Sequence, residues 1–155
     1  MLKINSFRHV ALLVEDLEKM RGFYEEVLGF TCIRNISINN EDFHRGMGVI
    51  DSSAVGVILQ IPNTYVEIEM LRVFPFRDMS PENSHTNAPG FRHLSFTVDD
   101  IEASYLELTA LGVSFIERPI FLSDPPDAAG LGFAYFKDPE GNLIELNQLP
   151  AEEED

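Results

Sequence analysis

Phe91-Arg92-His93-Leu94-Ser95-Phe96-Thr97-Val98 restates Phe7-Arg8-His9-Val10-Ala11-Leu12-Leu13-Val14, with every position displaced by 84 residues (91 minus 7). Each copy runs into an acidic pair, Glu15-Asp16 or Asp99-Asp100, then an apolar pattern of helical period, then a glycine, Gly29 or Gly112, placed to end a helix. A whole unit recurring in this way predicts two copies of one module, and a histidine at the same point of each is hard to explain as packing alone.

Within the first copy, residues 4–14 alternate as a strand, with Phe7, His9, Ala11 and Leu13 on one face. Asp16 is a helix N-cap, and Leu17, Met20, Tyr24, Val27 and Leu28 form the apolar stripe of a helix of about 12 residues. Strands are then expected at 30–37, 55–61 and 65–73, the last two joined by Pro62-Asn63-Thr64. Between them, residues 39–53 form a long excursion that carries His44 and Arg45 and lies over a site or serves only as a loop. The second copy repeats the order: a strand from 91, a helix capped by Asp99 or Asp100 with Ile101, Tyr105, Leu108 and Leu111 in its stripe, then a strand beginning at 113–117. A proline-rich loop at 119–130 precedes strands at 132–136 and 142–149 around the tight turn Asp138-Pro139-Glu140-Gly141-Asn142. The fold class is therefore α+β, two βαβββ modules at 4–73 and 91–149, with a connector at 74–90 that contains His85 and an acidic tail at 150–155.

The last strand of each module carries the second half of the pattern, since Ile144-Glu145-Leu146 answers Ile68-Glu69-Met70. From histidine to glutamate the separation is 60 residues in the first copy (69 minus 9) and 52 in the second (145 minus 93), a difference that loops absorb. His9, Glu69, His93 and Glu145 are thus the candidate ligands of one shared site. Two carboxylates about 4 Å apart repel by roughly 4 kcal/mol at an effective dielectric near 20. A proton or an arginine would offset this, but two neutral imidazoles beside them suit a divalent cation. The donor set, two nitrogens and two oxygens, accommodates Ni, Co, Mn, Fe or Zn without choosing among them. Glu145 and Glu69 are also the candidate catalytic bases. Glu67 shares the face of Glu69, and a solvent-facing strand is the plainer account of that carboxylate pair.

Composition narrows the partners. Acidic side chains outnumber basic ones by 26 to 11 and the formal charge is -15, which repels nucleic acid and anionic membranes. The single cysteine, Cys32, sits in an apolar run and is expected to be a buried small hydrophobe in a reducing, cytoplasmic setting. Residues 1–155 show no basic stretch leading into an apolar run with a cleavage-like site and no apolar run of about 20 residues, so neither secretion nor membrane insertion is expected.

The paired modules, Phe23-Tyr24-Glu25-Glu26-Val27-Leu28-Gly29-Phe30, Arg92-His93-Leu94-Ser95-Phe96-Thr97-Val98-Asp99-Asp100-Ile101 and Phe136-Lys137-Asp138-Pro139-Glu140-Gly141-Asn142-Leu143-Ile144-Glu145-Leu146 resemble the vicinal oxygen chelate superfamily. That superfamily includes glyoxalase I, methylmalonyl-CoA epimerase, extradiol dioxygenases and fosfomycin or bleomycin resistance proteins. The resemblance spans residues 4–149, and the final turn with its glutamate is its most specific part. It implies one domain over residues 1–155, an incomplete barrel around an ion, and metal positions at His9, Glu69, His93 and Glu145. It further implies a small-molecule substrate, a homodimer, and modules that pair within one chain or across two. The expected activity is that of a lyase or isomerase of glyoxalase or epimerase type acting through a metal-stabilised enediolate. An Fe(II) dioxygenase using His9, His93 and Glu145 is an alternative that Glu69 disfavours by filling a coordination position. A binding protein of the resistance type, without turnover, is another. Glu26 stands where animal-type glyoxalase I has a basic residue for glutathione, which counts against that thiol.

Overall fold

In the computed structural model, which describes residues 5–76 and 90–150, the chain divides into two compact units, Met1–Asp78 and Met79–Asp155. The division falls inside the 74–90 connector, most of which, His85 included, lies outside the described residues, as do Ile4 and the acidic run at 151–155.

The first unit runs β1 (His9–Leu13), α1 (Leu17–Gly22), β2 (Thr31–Ile38), α2 (Glu41–Met47), β3 (Ser53–Gln60) and β4 (Glu67–Phe74). Its sheet has the order β1-β4-β3-β2, with β1 parallel to β4 and the other neighbours antiparallel. A parallel neighbour requires the chain to cross over the sheet between the two strands, and α1 lies on that path. Asp16 caps α1 by accepting from the Lys19 backbone N–H at 3.1 Å. The helix does not stay α throughout: Phe23–Val27 widens into a π turn, where the Leu28 N–H reaches the Phe23 carbonyl at 3.2 Å, before Gly29 turns the chain at φ 73°. Tyr24 enters the core from this segment, fully buried and edge-on to Phe30 at 5.4 Å. Met20, Ile68 and Met70 are fully buried too, while Glu67 and Glu69 alternate with them on the other face of β4.

The second unit repeats the plan: β5 (His93–Thr97), α3 (Ile101–Ala110), β6 (Ile120–Phe121), β7 (Gly132–Lys137) and β8 (Leu143–Gln148), in the order β5-β8-β7-β6 with β5 parallel to β8. Asp100 is the N-cap of α3, accepting from Ala103 N–H at 2.9 Å. Ile101 from α3 is fully buried, as are Phe136 of β7 and Ile144 of β8. Among the described residues no helix is long and apolar enough to cross a membrane.

Three expectations need correction. The excursion at 39–53 contains a helix, α2, capped by the Asn40 side chain accepting from Phe43 N–H at 2.9 Å and closed by Gly48 at φ 68°. Both cap residues were visible in the sequence, but a seven-residue helix with Gly46 inside it has no apolar stripe to announce it. Residues 113–117 are not a strand: Phe115 makes a single bridge to Phe136, and the edge strand is the two-residue β6, inside the segment expected to be loop. Cys32 is half-buried rather than buried, its thiol 3.8 Å from the Arg34 carbonyl. Each sheet is open, with β1 and β2, or β5 and β6, at its edges, so the barrel implied by the resemblance is not a property of either unit by itself.

Candidate metal centre

β1 and β4 lie side by side with Ala11 opposite Glu69 and His9 opposite Glu67. From that register His9 reaches diagonally along the strand, and its Nε2 stands 3.5 Å from Glu69 Oε2. Glu67 is engaged elsewhere, in an ion pair with Arg8 at 3.1 Å. The two carboxylates on one strand face therefore separate: one is neutralised by an arginine and the other faces a histidine. β5 and β8 reproduce this arrangement, with Ser95 opposite Glu145, and His93 Nε2 lies 3.3 Å from Glu145 Oε2.

Two donors bound to one ion at about 2.1 Å, at angles between octahedral and tetrahedral, lie about 3.0 to 3.4 Å apart. The observed pairs match or nearly match this spacing, and both present the same imidazole nitrogen. An imidazole and a carboxylate are also the donors that borderline divalent ions accept. The residues present fit a divalent metal as two half-sites. The four predicted ligands are brought together two by two. Among the described residues no group of three or more His, Cys, Asp or Glu gathers into a metal-holding cluster. His44, on α2, belongs to no such group either.

The two halves differ in what surrounds the carboxylate. β7 places Tyr135 directly opposite Glu145, and Glu145 takes hydrogen bonds from Tyr135, Asn147 and Ser95. Burial pushes the Glu145 carboxyl up, but those three bonds, aided by attraction to His93, outweigh it and hold the group below its ordinary value of 4.5. Burial, then the bond to Glu145 and its charge, push the Tyr135 phenol up to about 12, so that at neutral pH it remains a donor. Tyr135 also packs edge-on to His93, with ring centroids 5.4 Å apart, and Asn147 Nδ2 donates to Ser95 Oγ. Sequence reading missed Ser95 and Tyr135. The first has a signal, lying two residues beyond His93 on the same strand face. Tyr135 is set by the register of β7 on β8, which one strand alone does not reveal.

A duplicated βαβββ unit with one histidine–glutamate pair in each copy defines a class of small paired-module proteins. The chain belongs to the glyoxalase/bleomycin resistance protein/dioxygenase superfamily, whose family model matches residues 6–146. Its relatives include the uncharacterized protein YwkD of Bacillus subtilis, 32% identical over 92% of this chain and 96% of that protein. A lactoylglutathione lyase of Pseudomonas aeruginosa is 25% identical over 92% of this chain and 81% of the enzyme. In fold, the crystal structure of a glyoxalase family protein from Bacillus cereus is similar with a TM-score of 0.81, 21% identity and 97% coverage of both chains.

Proposed function

We propose that the chain is a metal-dependent lyase or isomerase that moves a proton beside a carbonyl of a small oxygenated substrate, with His9 and Glu69 of the first module and His93 and Glu145 of the second as ligands for a divalent ion. The duplicated pair, 3.5 Å in one unit and 3.3 Å in the other, is the observation that supports this reading. A divalent ion bound there supplies a Lewis acid for a substrate oxygen, which makes the hydrogen on the adjacent carbon easier to remove. Two carboxylates leave the loaded site without net charge, so a developing negative charge on the substrate is stabilised while simple anions gain little. A glutamate oxygen takes the proton from one carbon and returns it to the neighbouring carbon or to the opposite face. The imidazoles keep the donor set in place through both steps.

Similarity to a lactoylglutathione lyase favours this chemistry over a binding role. The exposed Glu26, where a basic residue would meet glutathione, favours a substrate without that thiol. The fourth ligand argues against oxygen activation, which requires open positions. The test is exchange. A panel of small 2-hydroxy ketones and 2-oxoaldehyde–thiol adducts, incubated with the nickel- or cobalt-loaded protein in deuterated water, should show metal-dependent α-hydrogen exchange. Stoichiometric oxygen uptake without exchange would move the chain to the dioxygenase reading.

A further inference from the structure

The sheet of the second unit carries a polar row that the histidine–glutamate pair does not use. Along β5, β8 and β7 the register sets Ser95, Glu145 and Tyr135 in one row and Thr97, Asn147 and Phe133 in the next, all on the face that carries His93. The Asn147 amide nitrogen donates to Ser95 Oγ, which holds the amide in place and leaves its carbonyl oxygen as an acceptor. Thr97 is exposed and adds a hydroxyl, while Phe133 is half-buried and edge-on to Tyr135, with ring centroids 6.0 Å apart. The first copy shows that the fold does not call for these side chains, because its matching row is Leu13, Leu71 and Gly56 in the same register. A row without any hydrogen-bonding side chain in one module, and with an amide, a hydroxyl and a ring in the other, has its reason outside the sheet itself.

We propose that Thr97, Asn147 and Phe133 form a subsite for the distal hydroxyl groups of a small polyhydroxy ketone or aldehyde, of the sugar or cyclitol kind. The hydroxyls of such a molecule need donors and acceptors, and the C–H groups between them make an apolar patch that lies flat on an aromatic ring. Thr97 and Asn147 meet the first need from adjacent strands, and Phe133, opposite Asn147, meets the second. Spacing sets the size. Two residues along a strand cover about 7 Å, which an extended chain spans in about six bonds. A hydrogen bond takes up part of that distance, so a carbonyl at the Glu145 row and a hydroxyl at the Asn147 row belong to a molecule of about four to six carbons. An apolar tail in the same place would strip water from Asn147 and Thr97 and return no bond, so the subsite discriminates against it.

The position of the carbonyl rests on the proton-transfer reading above, and the experiment separates the two. Erythrulose, xylulose and 2-keto-myo-inositol would be titrated into the full chain in the presence of cobalt(II), with acetoin as the hydroxy ketone that has no further hydroxyl. Saturation-transfer NMR reads affinity, and the same samples in deuterated water read α-hydrogen exchange. Expected is binding of at least one polyhydroxy ketone about tenfold more tightly than acetoin, with a loss of about three- to tenfold in each of Asn147→Leu and Thr97→Leu and none in their binding of acetoin. Thr97→Ser, which keeps the hydroxyl, should bind as the wild type does, and Phe133→Leu, which removes the ring face, should weaken the polyhydroxy ketones. Asn147→Leu and Thr97→Leu install the first copy's own residues; if either fails to fold by circular dichroism, the other and Phe133→Leu carry the test. No polyhydroxy ketone binding more tightly than acetoin, or undiminished binding in the leucine variants, overturns the subsite whatever the exchange result. Selective binding that the variants weaken, with no α-hydrogen exchange, supports the subsite and overturns the lyase or isomerase reading.

Discussion

His93 and His44 differ in surroundings more than in exposure. His93 faces a carboxylate at 3.3 Å and leans on an aromatic ring at 5.4 Å, whereas the buried Nε2 of His44 has no hydrogen-bond partner among the described residues. On the proposed metal reading, replacing His93 by alanine removes one ligand and takes from Glu145 the imidazole it faces. The expected outcome for His93→Ala is loss of most bound metal, measured by elemental analysis after gel filtration, with His44→Ala unchanged. Loss from both to the same degree would argue against a dedicated site. At this scale the sequence was informative because the module occurs twice: a lone strand histidine says little, but the same histidine 84 residues later (93 minus 9), each with a later glutamate between apolar neighbours, marks four positions. Glu67 needed the structure, since only the Arg8 contact separates it from Glu69. Ser95 and Tyr135 needed it as well, because their roles come from strand pairing and not from spacing along the chain.

The strands that carry the proposed ligands are held by backbone features some distance from them. Gly56 lies opposite Leu71 in the pairing of β3 with β4. A Cβ there would run into the Met70 carbonyl oxygen and lie 2.6 Å from Leu71 Cδ2. Gly56→Ala therefore has to push β4 away from β3, and overpacking of this kind costs about 1 to 3 kcal/mol. Urea unfolding should register that loss, and because Glu69 sits on the displaced strand, metal uptake should fall with it; an unchanged midpoint would mean that the sheet yields at no cost. In the second unit the corresponding anchor is the turn before β8. Asp138, buried, accepts from the backbone N–H groups of Glu140 at 3.0 Å and Asn142 at 2.9 Å, and from the Asn142 side chain at 2.9 Å, while Gly141 takes φ 88°. That turn was legible because proline, glycine and asparagine each have one conformational reason to be there. α2 and β6 were not, since a helix of seven residues and a strand of two are too short for period to separate them from loop.

The proposed sharing of one ion by four ligands predicts a stoichiometry that separate half-sites would not have. Four ligands on one ion require one metal per chain, whether a chain's modules serve each other or those of a partner, whereas two independent half-sites would take two. Titration of the metal-free protein with cobalt should therefore saturate at one equivalent, and saturation at two would refute the pairing. The family pairs modules in both ways, and we propose a homodimer here, for which sedimentation should give twice the 17.5 kDa chain mass. The two arrangements differ when damaged chains are mixed. His9→Ala disables every first half-site and His93→Ala every second, so neither variant binds metal well by itself. If each site combines modules of two chains, mixed dimers contain one site with both histidines intact and one with neither, and random exchange restores about a quarter of all sites. If each site lies within one chain, every site in the mixture still lacks a histidine and mixing restores nothing. Recovery of cobalt binding on mixing, tracked by the visible spectrum as subunits exchange, thus assigns the site to the dimer, and its absence at full exchange assigns it to the single chain.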